Sequence, residues 1–354
     1  VTALPDSAAP WAVVLAGGVG SRFWPVSTPS RPKQLLPLVT EAPMLRDTLA
    51  RLAPLAPPER TLVLTNAGLA DAVRTLAPEI PADQVIAEPR PAGTAAALAW
   101  AAHEVARRAG PTAVMVCVHA DWAIGDVPGY QATLAQAARI AAATPALLTV
   151  GIVPTRPETG YGYIQPGAAA DPAVPALRRV ARFVEKPDRA TAARFVAEGF
   201  LWNSGIFVWQ AGAFLDEVRA HCDEVAPALA ACGGDREAFF AAARSTAVDT
   251  GVLERSDNVL VLPGAFGWDD VGTWAAVHRV RSRDAAGNAT HGAVHAVAAR
   301  DNVVHAEGTT VVLYGVEDLV VVALGDLTLV TTREQAADLK TLLAALPPAV
   351  RDRS

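Results

Sequence analysis

Cysteine is scarce in this 354-residue chain: three occur, at 117, 222 and 232, with neither a CxxC pair nor a regular framework among them. That argues against a disulfide scaffold or a thiolate zinc site, and makes the reducing cytoplasm the expected compartment. Long apolar runs are missing too. Although 51% of the residues are hydrophobic, no stretch approaches the roughly 20 apolar residues that a helix needs to cross a bilayer. The first ten residues, VTALPDSAAP, place no basic flank before an apolar core, so they read as a flexible N-terminal segment and not as a signal peptide. Positive charge is in deficit, 30 Lys and Arg against 36 Asp and Glu, for a net charge of -6. Neither a nucleic-acid surface nor a membrane surface is expected from that balance, although it leaves room for a local basic pocket.

What the chain does hold is a regular alternation of apolar runs and helical stretches. Residues 11–16 read as a buried strand ending at Gly17-Gly18, 44–53 as a helix and 61–65 as a strand. An alanine-rich helix follows over 94–109, then a strand over 113–118 that ends in His119, Ala120 and Asp121, a helix over 129–143 and a strand over 147–153. This order favours an α/β fold: a Rossmann-like mixed, mostly parallel sheet with helices on both faces. Ligands of such sheets sit beyond the carboxyl ends of strands, which is where the glycine loop and Asp121 fall. From about residue 288 short valine-rich runs are broken by Gly, Asp or Asn with no long helix between them. They read as a small all-β unit, for which a short left-handed β-helix is one solution. The expected organisation is a segment over 1–10, a catalytic domain over 11–280, a β domain over 288–332 and a C-terminal helix over 333–350.

The first strand runs into LAGGVGSRFWPVSTPSRPKQLLPL, residues 15–38. A plain strand-to-helix turn would account for Gly17, Gly18 and Gly20. The dinucleotide fingerprint fails because its third glycine is missing, and a Walker A loop fails because no GK[ST] follows. Exposed backbone N–H groups nevertheless suit phosphate oxygens. Arg22 offers a planar fork of donors and Lys33 a mobile point charge, so the stretch as a whole points to phosphoryl or nucleotidyl chemistry.

The same stretch resembles the signature of the sugar-1-phosphate nucleotidylyltransferases, roughly LAGG-x-GTR-x-WP-x-S…PKQ, with Ser21 keeping the hydroxyl of the usual Thr. Trp24-Pro25 and Lys33-Gln34 are similar to the mannose-1-phosphate guanylyltransferase (GDP-mannose pyrophosphorylase) branch more than to the glucose-1-phosphate branches. EPRPAGTAAALAW (88–100), VHADWAI (118–124), PETGYGYIQPG (157–167), RFVEKPD (182–188), WNSGIFVW (202–209) and FGWDDVGTW (266–274) follow in family order. The resemblance spans about 11–345. It implies that Leu15, Ala16, Gly17, Gly18, Gly20 and Ser21 bind the nucleotide, with Glu88 and Thr94 at the base. It further implies Gly162, Glu185 and Asn203 for the sugar, Lys186 for its phosphate, and Asp121 and Asp270 as ligands of one Mg2+. By alternation Arg182, Val184 and Lys186 would share one face of a strand, with Phe183 and Glu185 opposite. Asp269 would either help hold the metal or face water.

The implied substrates are GTP and mannose 1-phosphate, and a homodimer is the expected assembly. The sugar phosphate would attack the α-phosphorus in line and expel pyrophosphate, while Arg22, Lys33 and Lys186 stabilise charge. Departures from the family pattern at Gly93, His119, Trp122 and Arg255 bear on base and sugar preference. The rival within the fold is a glucose-1-phosphate uridylyl- or thymidylyltransferase. A rival of another class is a catalytically weak regulatory subunit that binds nucleotide sugar, against which the intact Arg22, Lys33, Asp121, Lys186 and Asp270 argue.

Overall fold

The structure, a computed structural model, describes residues 9–18 and 21–351. Most of the expected N-terminal segment, and Gly20 of the opening loop, lie outside the described residues. The chain divides into two compact units. Unit 1 comprises the residues up to Gly17, Ala50–His119 and Asp126–Trp268; unit 2 comprises Gly18–Leu49, Ala120–Gly125 and the chain from Asp269 onward.

Among the described residues fifteen strands follow in order: β1 Trp11–Leu15, β2 Thr61–Asn66, β3 Val85–Glu88, β4 Val114–His119, β5 Ala123–Ile124, β6 Leu147–Ile152, β7 Tyr163–Ala169, β8 Arg178–Val184, β9 Leu201–Gln210, β10 Val259–Gly264, β11 Trp268–Asp269, β12 Ala289–Val297, β13 Val303–Tyr314, β14 Leu319–Leu324 and β15 Leu327–Thr332. In unit 1 nine of them form one sheet, ordered β3-β2-β1-β4-β9-β6-β10-β8-β7. The half containing β3, β2, β1 and β4 is parallel throughout, and β6 is parallel to β10. β9 enters antiparallel between β4 and β6, and β8 and β7 finish the far side antiparallel. The sheet is therefore mixed, with its parallel pairings in the helix-alternating part of the chain.

Burial explains the apolar runs. Every residue of β1 is buried, as a strand covered on both faces requires. The helix Gly93–Ala109 buries Ala95 through Ala102 without a break. Small side chains let it lie close to its neighbours, with Trp100 filling the remaining space against Phe239 at 5.3 Å between ring centroids. Gly93 starts that helix at φ 78°, and a Cβ there would stand 2.2 Å from the carbonyl oxygen of Thr246. No side chain fits, which gives the departure at Gly93 a local steric cause.

In unit 2 the four-stranded sheet runs β12-β13-β14-β15. β12 is parallel to β13 and β13 to β14, whereas β14 and β15 are antiparallel. Parallel neighbours with no helix between them are what stacked coils produce. Buried asparagines tie the coils. Asn302 donates from its backbone N–H and its Nδ2 to Asn288 Oδ1 at 3.1 and 2.9 Å, 14 residues apart, and its Oδ1 accepts the Leu319 N–H at 2.9 Å. The sheet packs into a core with Phe23, Trp24, Leu36, Leu38 and Trp274, so the opening stretch and the β domain belong to one hydrophobic cluster.

The expected C-terminal helix is broken. A 3-10 turn over Gln335–Asp338 leads into a helix over Leu339–Ala345, and a last turn spans Pro348–Arg351. Pro347 and Pro348 supply no N–H to continue the ladder, which sets the break. Among the described residues no helix is long and apolar enough to cross a membrane.

Asn302→Ala would leave the Asn288 amide and the Leu319 N–H short of partners in a buried setting. The expected cost is about 3 kcal/mol of stability, seen as a lower midpoint in thermal or urea unfolding. A wild-type midpoint would show that the ladder contributes nothing.

Candidate functional site

The sequence-predicted residues fall into two sets, one in each unit. In unit 2 the centre is Lys33. Its side chain is 8% exposed, its Nζ lies 3.0 Å from Asp121 Oδ2, and it donates to the backbone carbonyl of Asp270. A lysine this buried needs paired partners, and these two acceptors answer the need. Asp121 reaches the site because the chain turns directly after β4, and Lys33 because it begins a 3-10 turn over Lys33–Leu35. The neighbouring Gln34 donates from Nε2 to the carbonyl of Gly18 at 2.9 Å, tying the glycine loop to the same turn.

Asp269 and Asp270 are adjacent yet serve different ends. Asp269 is 4% exposed. Its Oδ1 accepts the Val271 N–H at 2.9 Å, and its Oδ2 accepts from Arg279 at 2.9 and 3.2 Å. Both oxygens are thus engaged within the protein, and Asp269 acts as the internal support of the turn. Val271 sits at φ 48°, and Asp270 Oδ1 accepts the Gly272 N–H at 3.0 Å. A Cβ on Gly272 would stand 2.9 Å from Asp270 Oδ2 and 3.4 Å from Arg22 Nη1, so carboxylate and guanidinium flank the same glycine. Arg22, Lys33, Asp121 and Asp270 are thus brought together. Asp121 is held by that ammonium through its carboxylate and Asp270 through its backbone, and the two carboxylates would offer an all-oxygen donor set, which fits a hard divalent cation such as Mg2+.

The unit 1 set begins at the end of β1. The Ala16 N–H donates to the Leu64 carbonyl at 2.7 Å, and Thr65 Oγ1 donates to the Ala16 carbonyl at 3.0 Å. Next to Leu15 and Ala16, Gly17 is exposed, and a Cβ there would stand 3.8 Å from Glu88 Oε1. Burial pushes the Glu88 carboxyl up to about 7. Thr94 Oγ1 accepts the Val248 N–H at 2.9 Å, which gives this residue a helix-anchoring contact. Ser21 opens the 3-10 turn Ser21–Phe23 of unit 2.

Gly162, Glu185 and Asn203 do meet. A Cβ on Gly162 would stand 2.7 Å from Glu185 Oε2 and 3.4 Å from Asn203 Cβ, and the Asn203 N–H donates to the Gly162 carbonyl at 2.8 Å. Sequence reasoning missed Asp249. Asn203 donates from Nδ2 to Asp249 Oδ1 at 2.7 Å, and burial raises the Asp249 carboxyl despite that bond. Nothing in the local pattern AVDTGV marks it; only the fold brings it to β9. Lys186 corrects the alternation argument. β8 ends at Val184, and Lys186 adopts φ 43°, so it does not continue the face of Arg182 and Val184. Lys186 and Glu185 instead form an exposed ion pair at 2.8 Å. Arg255 is held by Glu224 at 2.9 and 3.0 Å and by the His221 carbonyl. Trp122, Tyr161, Tyr163, Trp202 and Trp209 are buried.

Comparison with known proteins identifies the family of both parts of the chain. The family described as Nucleotidyl transferase matches residues 11–287, and the MannoseP isomerase/GMP-like beta-helix domain matches 292–346. The chain is 37% identical over 351 residues to mannose-1-phosphate guanylyltransferase of Escherichia coli strain K12, covering 94% of this chain and 72% of that protein. It is 35% identical over 360 residues to the xanthan biosynthesis protein XanB of Xanthomonas campestris pv. campestris strain B100, covering 97% and 74%. Among solved structures, one from Thermus thermophilus described as mannose-1-phosphate geranyltransferase superposes with a TM-score of 0.85 at 34% identity, covering 95% of this chain and 98% of that one.

Glu88 carries a pH signature. Its folded value of about 7 exceeds the ordinary 4.5, so between those values the folded chain binds more protons than the unfolded chain. Stability should therefore fall as pH rises through that window and stay lowered above it. Glu88→Gln should flatten this decline in urea unfolding followed from pH 4.5 to 8. An unchanged slope would remove Glu88 as its source.

Proposed function

Because the chain belongs to the nucleotidyl transferase family and carries a MannoseP isomerase/GMP-like beta-helix domain, we propose that it forms GDP-mannose and pyrophosphate from GTP and mannose 1-phosphate. The observation that carries the reading is the buried Lys33 ammonium joined to Asp121 and to Asp270, with Arg22 beside Gly272. Two phosphate-bearing substrates repel each other, and a cluster of fixed cations and metal-binding carboxylates is what their reaction requires.

Each residue then has a task. Arg22 contributes its planar fork to the transferring and leaving phosphates. Lys33 holds the two aspartates in place and adds charge near the same oxygens. Asp121 and Asp270 would hold Mg2+, which supplies charge neutralisation between phosphate oxygens when bound. Gly162, bare of a side chain beside Glu185 and Asn203, leaves its backbone open to the sugar ring. Glu185 and Asn203 hydrogen-bond sugar hydroxyls, with the amide of Asn203 oriented by Asp249. Lys186 leaves its exposed pair with Glu185 to meet the sugar phosphate. That phosphate is itself the nucleophile, so no protein nucleophile is needed and positioning carries the rate. Leu15, Ala16, Gly17, Gly18, Gly20 and Ser21, with Glu88 and Thr94, take the nucleotide; an ionised Glu88 would accept from the two donors on the guanine edge. The enzyme works as a homodimer in the cytoplasm on this reading.

The test is pyrophosphate release with Mg2+ across GTP, UTP, dTTP, ATP and CTP, each with mannose 1-phosphate or glucose 1-phosphate. The maximum is expected for GTP with mannose 1-phosphate, with no release when the sugar phosphate is omitted. A maximum elsewhere would reassign the substrates, and silence from folded protein would favour a regulatory subunit. Asp270→Asn should lower kcat by about 100-fold with the fold intact, read by the same assay alongside a thermal melt. Wild-type turnover would remove Asp270 from the metal site.

A further inference from the structure

The β domain holds a polar cluster that the proposed reaction does not use. Parallel pairing sets His291 opposite His305, and their rings stack at 4.6 Å between centroids. His305 is fully buried, with its Nε2 2.9 Å from Glu307 Oε1. Glu307 in turn receives both arms of Arg31, at 2.7 and 3.0 Å. Burial pushes His305 down to about 4, so it is neutral at working pH, while Arg31 and His305 hold Glu307 down at about 2 in spite of partial burial. His291, His305 and Glu307 have the donor types of a small metal centre. The fork of Arg31 already engages both carboxylate oxygens, however, and the buried Arg281 adds a second positive charge near His305. A bound cation would face both.

What the cluster does touch is the loop that carries Lys33. Arg31 precedes it by two residues, with the φ-restricted Pro32 between them. Beyond Lys33, Arg281 donates to the carbonyls of Pro37 and Leu38 at 3.2 and 2.7 Å and to that of Val304 in β13 at 3.4 Å. Glu41, further along, stands 3.2 Å from His291 Nδ1. The loop is thus pinned to the C-terminal part of unit 2 on both sides of Lys33. We infer that the β domain is a positioning element of the catalytic loop: Glu307, oriented by His305, fixes Arg31 and through it the ammonium of Lys33 against Asp121. Glu307 is a positioning residue, since it acts only through Arg31.

The inference rests on the proposed role of Lys33, and a double-mutant cycle on the full chain tests the two separately. With GTP, mannose 1-phosphate and Mg2+, Arg31→Gln and Glu307→Gln should each lower kcat about ten-fold, leaving the KM for mannose 1-phosphate within about two-fold of wild type. The double variant should be no slower than either single one, because both remove one contact. Melting temperatures are measured beside each rate. Wild-type kcat in the single variants, multiplying losses in the double, or losses that follow the melting temperature would each overturn the inference. So would a fall in wild-type kcat on adding a transition-metal chelator that spares Mg2+, reversed by zinc, because the cluster would then be a metal centre. Lys33→Ala serves as the control for the underlying reading: full turnover there would remove the role of Lys33 itself, whatever the cycle gives.

Discussion

The ammonium of Lys33 is the contact on which the unit 2 site depends. A lysine whose side chain is 8% exposed must find its hydrogen-bond acceptors inside the protein. Lys33 answers by contacting the Asp121 carboxylate and the Asp270 backbone together. Much of the surrounding sequence serves to place that one nitrogen. Gln34 ties the following position to Gly18, Asp269 and Arg279 fix the turn from which Asp270 offers its carbonyl, and Gly272 leaves room for Arg22.

A second constraint governs the β domain. Parallel coils without covering helices must satisfy polar groups inside, and Asn288 and Asn302 do this by bonding to each other and to the next coil. The same register that stacks the asparagines stacks His291 on His305. Ladder and histidine pair are therefore one geometric consequence, expressed once in the turns and once in the strands.

Much of this was legible in the sequence. The parallel half of the unit 1 sheet follows from continuous apolar runs between helical stretches, and the observed bounds, such as Gly93–Ala109 for the alanine-rich helix, differ little from the expected ones. The antiparallel half was not legible, because β9 is buried on both faces and its pattern does not reveal which strands it separates. Among site residues, Arg22, Lys33, Asp121 and Asp270 stand out because the resemblance marks them, and the fold gathers them. Asp249 carries no local signature, and its pairing with Asn203 exists only in three dimensions. The ion pair of Lys186 with Glu185 was hidden for another reason: a left-handed residue after the strand ends the alternation that the sequence suggested.

The neutral imidazole of His305 also sets an acid limit on unit 2. Its folded value of about 4 lies below the ordinary 6.5, so across that interval the unfolded chain takes up the proton that the folded one refuses. Acidification therefore draws stability from unit 2 over the interval in which Glu88, in unit 1, gains from staying protonated. The two groups therefore carry opposite slopes, one in each unit, over nearly the same stretch of pH.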